Sequence, residues 1–216
     1  MRSLLGPWSA VLLLCLTRIS AAAQFSADIV SRDAAGVQSG AGGKIYVADG
    51  KVRIETPEAA AGFFLIDGRA ATALFVRPAQ QIFTDARQSS RLTRIFIPVD
   101  PNSACLQWQA AARDAGVADG EWHCDPNGVA FIDGRQTTEC RVTSPDRDAG
   151  RRWIDASIGF PIRVRMEDGT SITLENIRVA AQSPELFAIP PSYRKLDPHA
   201  LVERIKHSDV WAGPPN

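Results

Sequence analysis

Histidine is scarce in this chain of 216 residues, which holds only His123, His199 and His207. There is no G-x-S-x-G nucleophile turn, no H-E-x-x-H helix and no phosphate-cradling glycine loop. The chain therefore carries none of the common motifs for hydrolase, zinc-protease or nucleotide chemistry. Net charge is missing too: 24 basic residues balance 24 acidic ones. Nucleic-acid binding needs a basic stripe, and the composition offers none. Beyond residue 23 no stretch is long and apolar enough to span a membrane as a helix. No repeat or long low-complexity tract interrupts the chain, and residues 33–43, rich in Ala, Gly and Ser, read as a loop. These absences predict a protein that is not an enzyme, with no catalytic residues, no cofactor and no metal.

The first 23 residues read as a secretory signal. Arg2 gives a basic start, residues 10–16 are apolar, and Ala21-Ala22-Ala23 supplies a small-residue cleavage site. Leu14 precedes Cys15 where a lipoprotein signal would place a small residue. Removing 23 of 216 residues leaves 193, with 22 basic against 24 acidic, a charge of −2. That length suits one domain. Its expected bounds are 24–209, followed by a Pro/Gly-rich tail, 210–216.

Most of what remains reads as strands. Asp-Gly pairs at Asp49-Gly50, Asp67-Gly68, Asp133-Gly134 and Asp168-Gly169 sit between apolar runs, the strongest local hairpin signal. A two-residue turn at Asp49-Gly50 sets Val47 against Val52 and Ile45 against Ile54. On the other face it sets Lys44 against Glu55 and Tyr46 against Arg53. Such pairs contribute roughly 0.2–1 kcal/mol each. At Asp168-Gly169 a three-residue bulged loop is expected, with Met166 facing Ile172, Val164 facing Leu174 and Arg163 facing Glu175. Successive hairpins predict an antiparallel meander.

Two helices are expected. One is capped by Asn102 or Ser103, runs to about Ala115 and stops at Gly116, with Cys105, Trp108 and Ala112 on one side. The other starts near Asp197-Pro198 and runs to about Lys206, with Leu201, Val202 and Ile205 as its apolar stripe. The runs 63–66, 73–76 and 95–97 are apolar on both faces and read as strands covered on both sides. A sheet containing such strands, with only two helices, must curl or be capped. The pattern is met equally by side chains that simply complete a core.

Three cysteines remain beyond the signal: Cys105, Cys124 and Cys140. A two-residue turn at Asp133-Gly134 would put Cys140 opposite Asn127, too far from Cys124 to bond. The expected disulfide is Cys105–Cys124, between helix and sheet. It closes a loop of about 20 residues and is worth roughly 3 kcal/mol on the chain-entropy account. Cys140 is then a buried free thiol. His199, Glu203 and His207 recur every four residues, but on the solvent face opposite Leu201 and Ile205. In Arg151-Arg152-Trp153 the expected strand turns Trp153 inward and Arg152 outward.

Several stretches together resemble one family. "DGRAATALFVRPAQQIF" (67–83), "RWIDASIGFPIRV" (152–164) and "ELFAIPPSYRKLD" (185–197) are similar, in order, to segments of the exported lipoprotein-carrier superfamily, LolA/LolB/RseB-like. Residues 201–211 resemble the final helix of an uncharacterised exported group within it. The resemblance implies a mainly β (α+β) fold: a strongly curved antiparallel half-barrel with two helices on its concave side. It also implies a periplasmic protein whose partner is a lipid or lipoprotein acyl chain. The alternative is an envelope protein-interaction or stress-sensing module with a filled core. On this reading Ile45, Val47, Val52 and Ile54 line the hollow. Phe63, Leu74, Phe75, Phe83, Ile95, Phe96, Trp108 and Trp153 are further lining candidates.

Overall fold

The computed structural model describes residues 23–40, 42–57, 61–116, 121–143 and 149–197. The signal segment, the expected second helix, the His199/Glu203/His207 stripe and the tail lie outside the described residues. Among the described residues there are twelve strands: β1 (Phe25–Arg32), β2 (Gly43–Ala48), β3 (Lys51–Glu55), β4 (Phe63–Asp67), β5 (Thr72–Arg77), β6 (Ile82–Asp85), β7 (His123–Ile132), β8 (Arg135–Thr143), β9 (Gly150–Asp155), β10 (Phe160–Met166), β11 (Ser171–Val179) and β12 (Arg194–Lys195). Two described helices, α1 (Leu92–Ile95) and α2 (Ala104–Asp114), lie between β6 and β7.

All strands form one open sheet in the order β12-β6-β5-β4-β3-β2-β1-β11-β10-β9-β8-β7. It consists of two meanders joined where β1 pairs antiparallel with β11. Only β12 runs parallel to its neighbour, β6. The mainly β, antiparallel architecture expected from the hairpins is the one observed. A sheet this wide curls because each strand twists relative to the next.

The Asp49-Gly50 turn gives the expected register: Val47 faces Val52, Ile45 faces Ile54, Lys44 faces Glu55 and Tyr46 faces Arg53. Asp49 and Gly50 both have positive φ, 52° and 82°, as a type I′ turn requires. The Asp168-Gly169 hairpin departs from expectation. Val164 pairs with Ile172 and Arg163 with Thr173, so Met166 meets Thr170 around a loop of residues 167–169. Asp168 holds this turn by accepting bonds from the backbone N–H and hydroxyl of Thr170. In β7 a bulge between Pro126 and Gly128 puts Pro126, not Asn127, opposite Cys140.

The inner face packs Phe25, Ile45, Val47, Val52, Ile54, Ile162, Val164 and Leu174 against Ile95 and Phe96. Residues 95–97 are not a strand: Leu92–Ile95 is one helical turn. Short apolar triplets do not distinguish the two. Here Ser90 Oγ accepts from the Leu92 N–H, and Thr93 donates back to the Ser90 carbonyl. The Trp108 indole N–H donates to the Ile95 carbonyl at 3.1 Å and ties α2 to α1. Gly116, at φ 66°, follows the end of α2.

A second core lies under α2, where Trp108 and Ala112 meet Trp122, Val142 and Ile154. Cys105 and Cys124 are bonded there, Cα to Cα 5.7 Å, as expected. Arg152 corrects the expected orientation. It is 1% exposed, and its guanidinium lies 4.1 Å from the Trp108 ring and 5.2 Å from that of Trp122. Two aromatic faces accept a planar cation that an apolar wall alone would not. Trp153 instead takes the other face, half-buried, with the Arg163 guanidinium 6.0 Å from its ring.

The outer face of β2–β6 is covered as well. Phe63, Leu65, Val76 and Phe83 pack beneath Phe187, Ile189 and Tyr193 of the connection from β11 to β12. Arg53 fastens this strap. Its guanidinium lies 3.5 Å from the Phe63 ring centroid and donates to the Leu186 carbonyl. The two-sided apolar character of β4 and β5 thus has a physical cause: the strap covers their outer side, and on the inner side Ile66 and Ala73 join the core while Phe64 and Phe75 are partly buried.

Replacing both Cys105 and Cys124 by serine is expected to lower the unfolding free energy by about 3 kcal/mol, read by urea denaturation. Cys140 is free and buried, and burial pushes its thiol from 9.0 up to about 11. The unfolded chain therefore gives up this proton first. The neutral thiol's contribution to stability is full below about pH 9 and is lost as pH rises toward about 11. The stability difference between the native protein and Cys140→Ala is expected to narrow across that window. Folded protein should resist iodoacetamide at Cys140 until it is unfolded.

Candidate ligand cavity

An open cavity of about 760 Å³ lies between the inner face of the sheet and the segment that carries α1. Its walls come from both meanders. Ile29 (β1), Phe64 (β4), Phe75 (β5) and Ile172 (β11) form the sheet side, and Leu92 and Ile95 face them. Phe64 and Phe75 are directly paired across β4 and β5, with ring centroids 5.1 Å apart. Gly43 sits opposite Ile29 and leaves the floor open. A Cβ there would come within 2.4 Å of the Glu55 carbonyl oxygen, so strand packing itself excludes a side chain.

The rim is polar: Ser31, Thr56, Thr84, Asp85, Ser89, Ser90 and Arg91 surround the opening. Asp85 is held by Arg87, with Nη2 to Oδ2 2.6 Å. The hydrogen bond from Arg87 holds its carboxyl below the usual range, so the rim keeps a fixed anion paired with a cation. Phe64, Phe75, Leu92 and Ile172 are only partly buried. An apolar floor with a polar rim can shelter a hydrocarbon chain and leave its polar end wet.

The residues expected to line one hollow fall into three groups. Phe75 and Ile95 line the cavity. Ile45, Val47, Val52, Ile54, Phe96 and Trp108 share its side of the sheet but are packed solid, each at most 3% exposed. Phe63, Leu74 and Phe83 belong to the outer face under the strap, and Trp153 stands beside Arg163. The alternation that puts Phe64 inward puts Phe63 outward. Sequence reading missed Ile29, Phe64, Leu92 and Ile172. Alternation in "FSADI" (25–29) was the available signal for Ile29. Among the described residues no group of three or more His, Cys, Asp or Glu side chains could hold a metal ion. No described helix is long and apolar enough to cross a membrane.

No family model and no curated protein matches the chain. Solved structures do. A structure of PNGF-II is similar at 8% identity over 86% of this chain and 33% of that one, with a TM-score of 0.52. MucB in complex with MucA(peri) is similar at 16% identity over 81% of this chain and 57% of that one, TM-score 0.37. A LolA superfamily protein from Nitrosomonas europaea is similar at 12% identity over 77% of this chain and 90% of that one, TM-score 0.34. At these identities the likeness is one of fold alone.

Proposed function

We propose that this is an exported, non-catalytic binding protein that holds an acyl chain or similar apolar ligand between its curved sheet and α1. One observation carries the reading: four large apolar side chains, Phe64, Phe75, Leu92 and Ile172, stay partly accessible inside a concave cavity. Their neighbours Ile45, Val52, Ile54 and Phe96 on the same face are fully buried. The cavity falls within the usual range for small-molecule sites, about 300–1,000 Å³. Each methylene buried there contributes roughly 0.8 kcal/mol. Export to the periplasm accords with the signal-like residues 1–23 and with the Cys105–Cys124 disulfide, a bond of oxidising compartments.

A second reading, an envelope protein-interaction module, has its own observation. β7 is the outermost strand of the sheet, and it exposes Val129 and Phe131 to 62% and 72%. An unpaired edge with apolar side chains can accept a partner's strand.

Gently purified protein examined by native mass spectrometry is expected to carry a lipid-sized adduct and to begin at Gln24. Phe75→Asp should lower affinity for a fluorescent fatty acid at least about tenfold, because it puts an unpaired charge on the cavity floor. Val179→Ser, on the exposed surface, should leave affinity unchanged. Adduct-free native protein that also fails to bind the fatty acid would overturn the ligand reading and leave crosslinking at β7 to decide the second.

A further inference from the structure

Charge balances over the whole chain but not at the cavity mouth. Two charged residues line the cavity, Asp85 and Arg91. Asp85 is already matched by Arg87 at 2.6 Å, so that side of the mouth is neutral. Arg91 is exposed, and among the described residues the ion pairs leave it unengaged. Its field reaches Asp168, whose carboxyl is held low first by the Thr170 hydroxyl. Asp168 is itself exposed and bonded within its own turn. A second cation stands on the cavity side of the sheet. Arg77 follows Phe75 by two residues on β5 and so shares its face. Its Nε is enclosed with no hydrogen-bond partner among the described residues. Thr84, opposite Phe75 in the ladder, makes no side-chain hydrogen bond among the described residues, which leaves its hydroxyl open to donate.

We propose that the ligand carries an anionic head, a carboxylate or a phosphate monoester, seated at the mouth beside Arg91 with its hydrocarbon against Phe64 and Phe75. This rests on the function proposed above and names the class of ligand. Burial of the hydrocarbon is indifferent to the head. The guanidinium decides between heads, because its fork of donors fits carboxylate and phosphate oxygens. An acyl chain held in an ester or amide linkage presents no charge to Arg91 and gains nothing from it. The mouth is open to solvent, so the discrimination is that of an exposed charge pair, about fivefold, and salt screens it.

cis-Parinaric acid and its methyl ester differ at the head alone, and both report binding by fluorescence. The native chain is expected to bind the acid about fivefold more tightly than the ester at low salt. The ratio should fall toward one at about 1 M salt. Arg91→Gln should bring the low-salt ratio close to one, and Arg91→Lys should restore part of it. Arg141→Gln, which removes an exposed cation on β8, should keep all of it. Hexadecyl phosphate and palmitate should both displace the bound ester better than hexadecanol does, and the stronger of the two names the head. Equal affinity of the native chain for acid and ester would overturn the anionic head while leaving the ligand reading intact. An unchanged ratio in Arg91→Gln would overturn the seat at Arg91. If neither acid nor ester binds, the ligand reading falls and takes the head with it.

Discussion

Everything in this fold depends on β1 being held from both sides. It pairs with β2 through a short connection and with β11 through almost the whole length of the domain. Without the second pairing the chain would be two meanders with separate, half-covered faces. The joint is fastened beyond its ladder. Arg32 pairs with Glu175 at 2.6 Å, Asn176 donates to Asp28, and Gln24 accepts from the Gln182 backbone. Phe25, on the same strand, meets Phe160 edge-on at 5.2 Å, so apolar packing and polar clamps act on one element. Ile29, in the middle of β1, is then carried into the cavity wall.

Two arginines show how cations are placed within apolar layers. Arg53 sits over Phe63, with Glu55 2.7 Å from its guanidinium. It links sheet to strap without leaving a charge unbalanced. Arg152 lies deeper, between two tryptophans. Replacing such a residue by lysine would keep the charge but lose the planar stacking that makes burial tolerable.

Local pairing was legible in the sequence, and long-range pairing was not. Alternation and a positive-φ turn fix β2 against β3 to the residue. The Cys105–Cys124 bond followed from the place of Cys105 at the start of a helix and of Cys124 on the strand after it. The β1–β11 joint left no comparable mark, because no turn connects those strands and nothing in either segment names the other. The Asp168 hairpin was misregistered because Asp168 bonds its own turn, a local contact that alternation ignores. The site was read only in part for a related reason. Where β4 and β5 are apolar on both faces, composition cannot say which side a given phenylalanine takes. Phe63 and Phe64 are adjacent, equally apolar, and on opposite sides of the sheet.

The cavity itself follows from a mismatch of lengths. Twelve strands at about 4.8 Å spacing make a sheet roughly 50 Å wide before it curls. α2, with 11 residues, extends only about 16 Å. It covers β8 and β9, where Val142 and Ile154 close against Trp108. Among the described residues, the single turn of α1 covers the inner face of the other meander, shielding Ile45, Val52 and Ile54 but not Phe64 or Phe75. The strap cannot help, because it passes on the far side. A chain with no other use for that surface would gain stability by filling it, since each large side chain moved from half-exposed to buried contributes on the order of 1 kcal/mol. Here the apolar surface of Phe64 and Phe75 stays open at the bottom of a concavity also lined by Ser, Thr and a paired carboxylate.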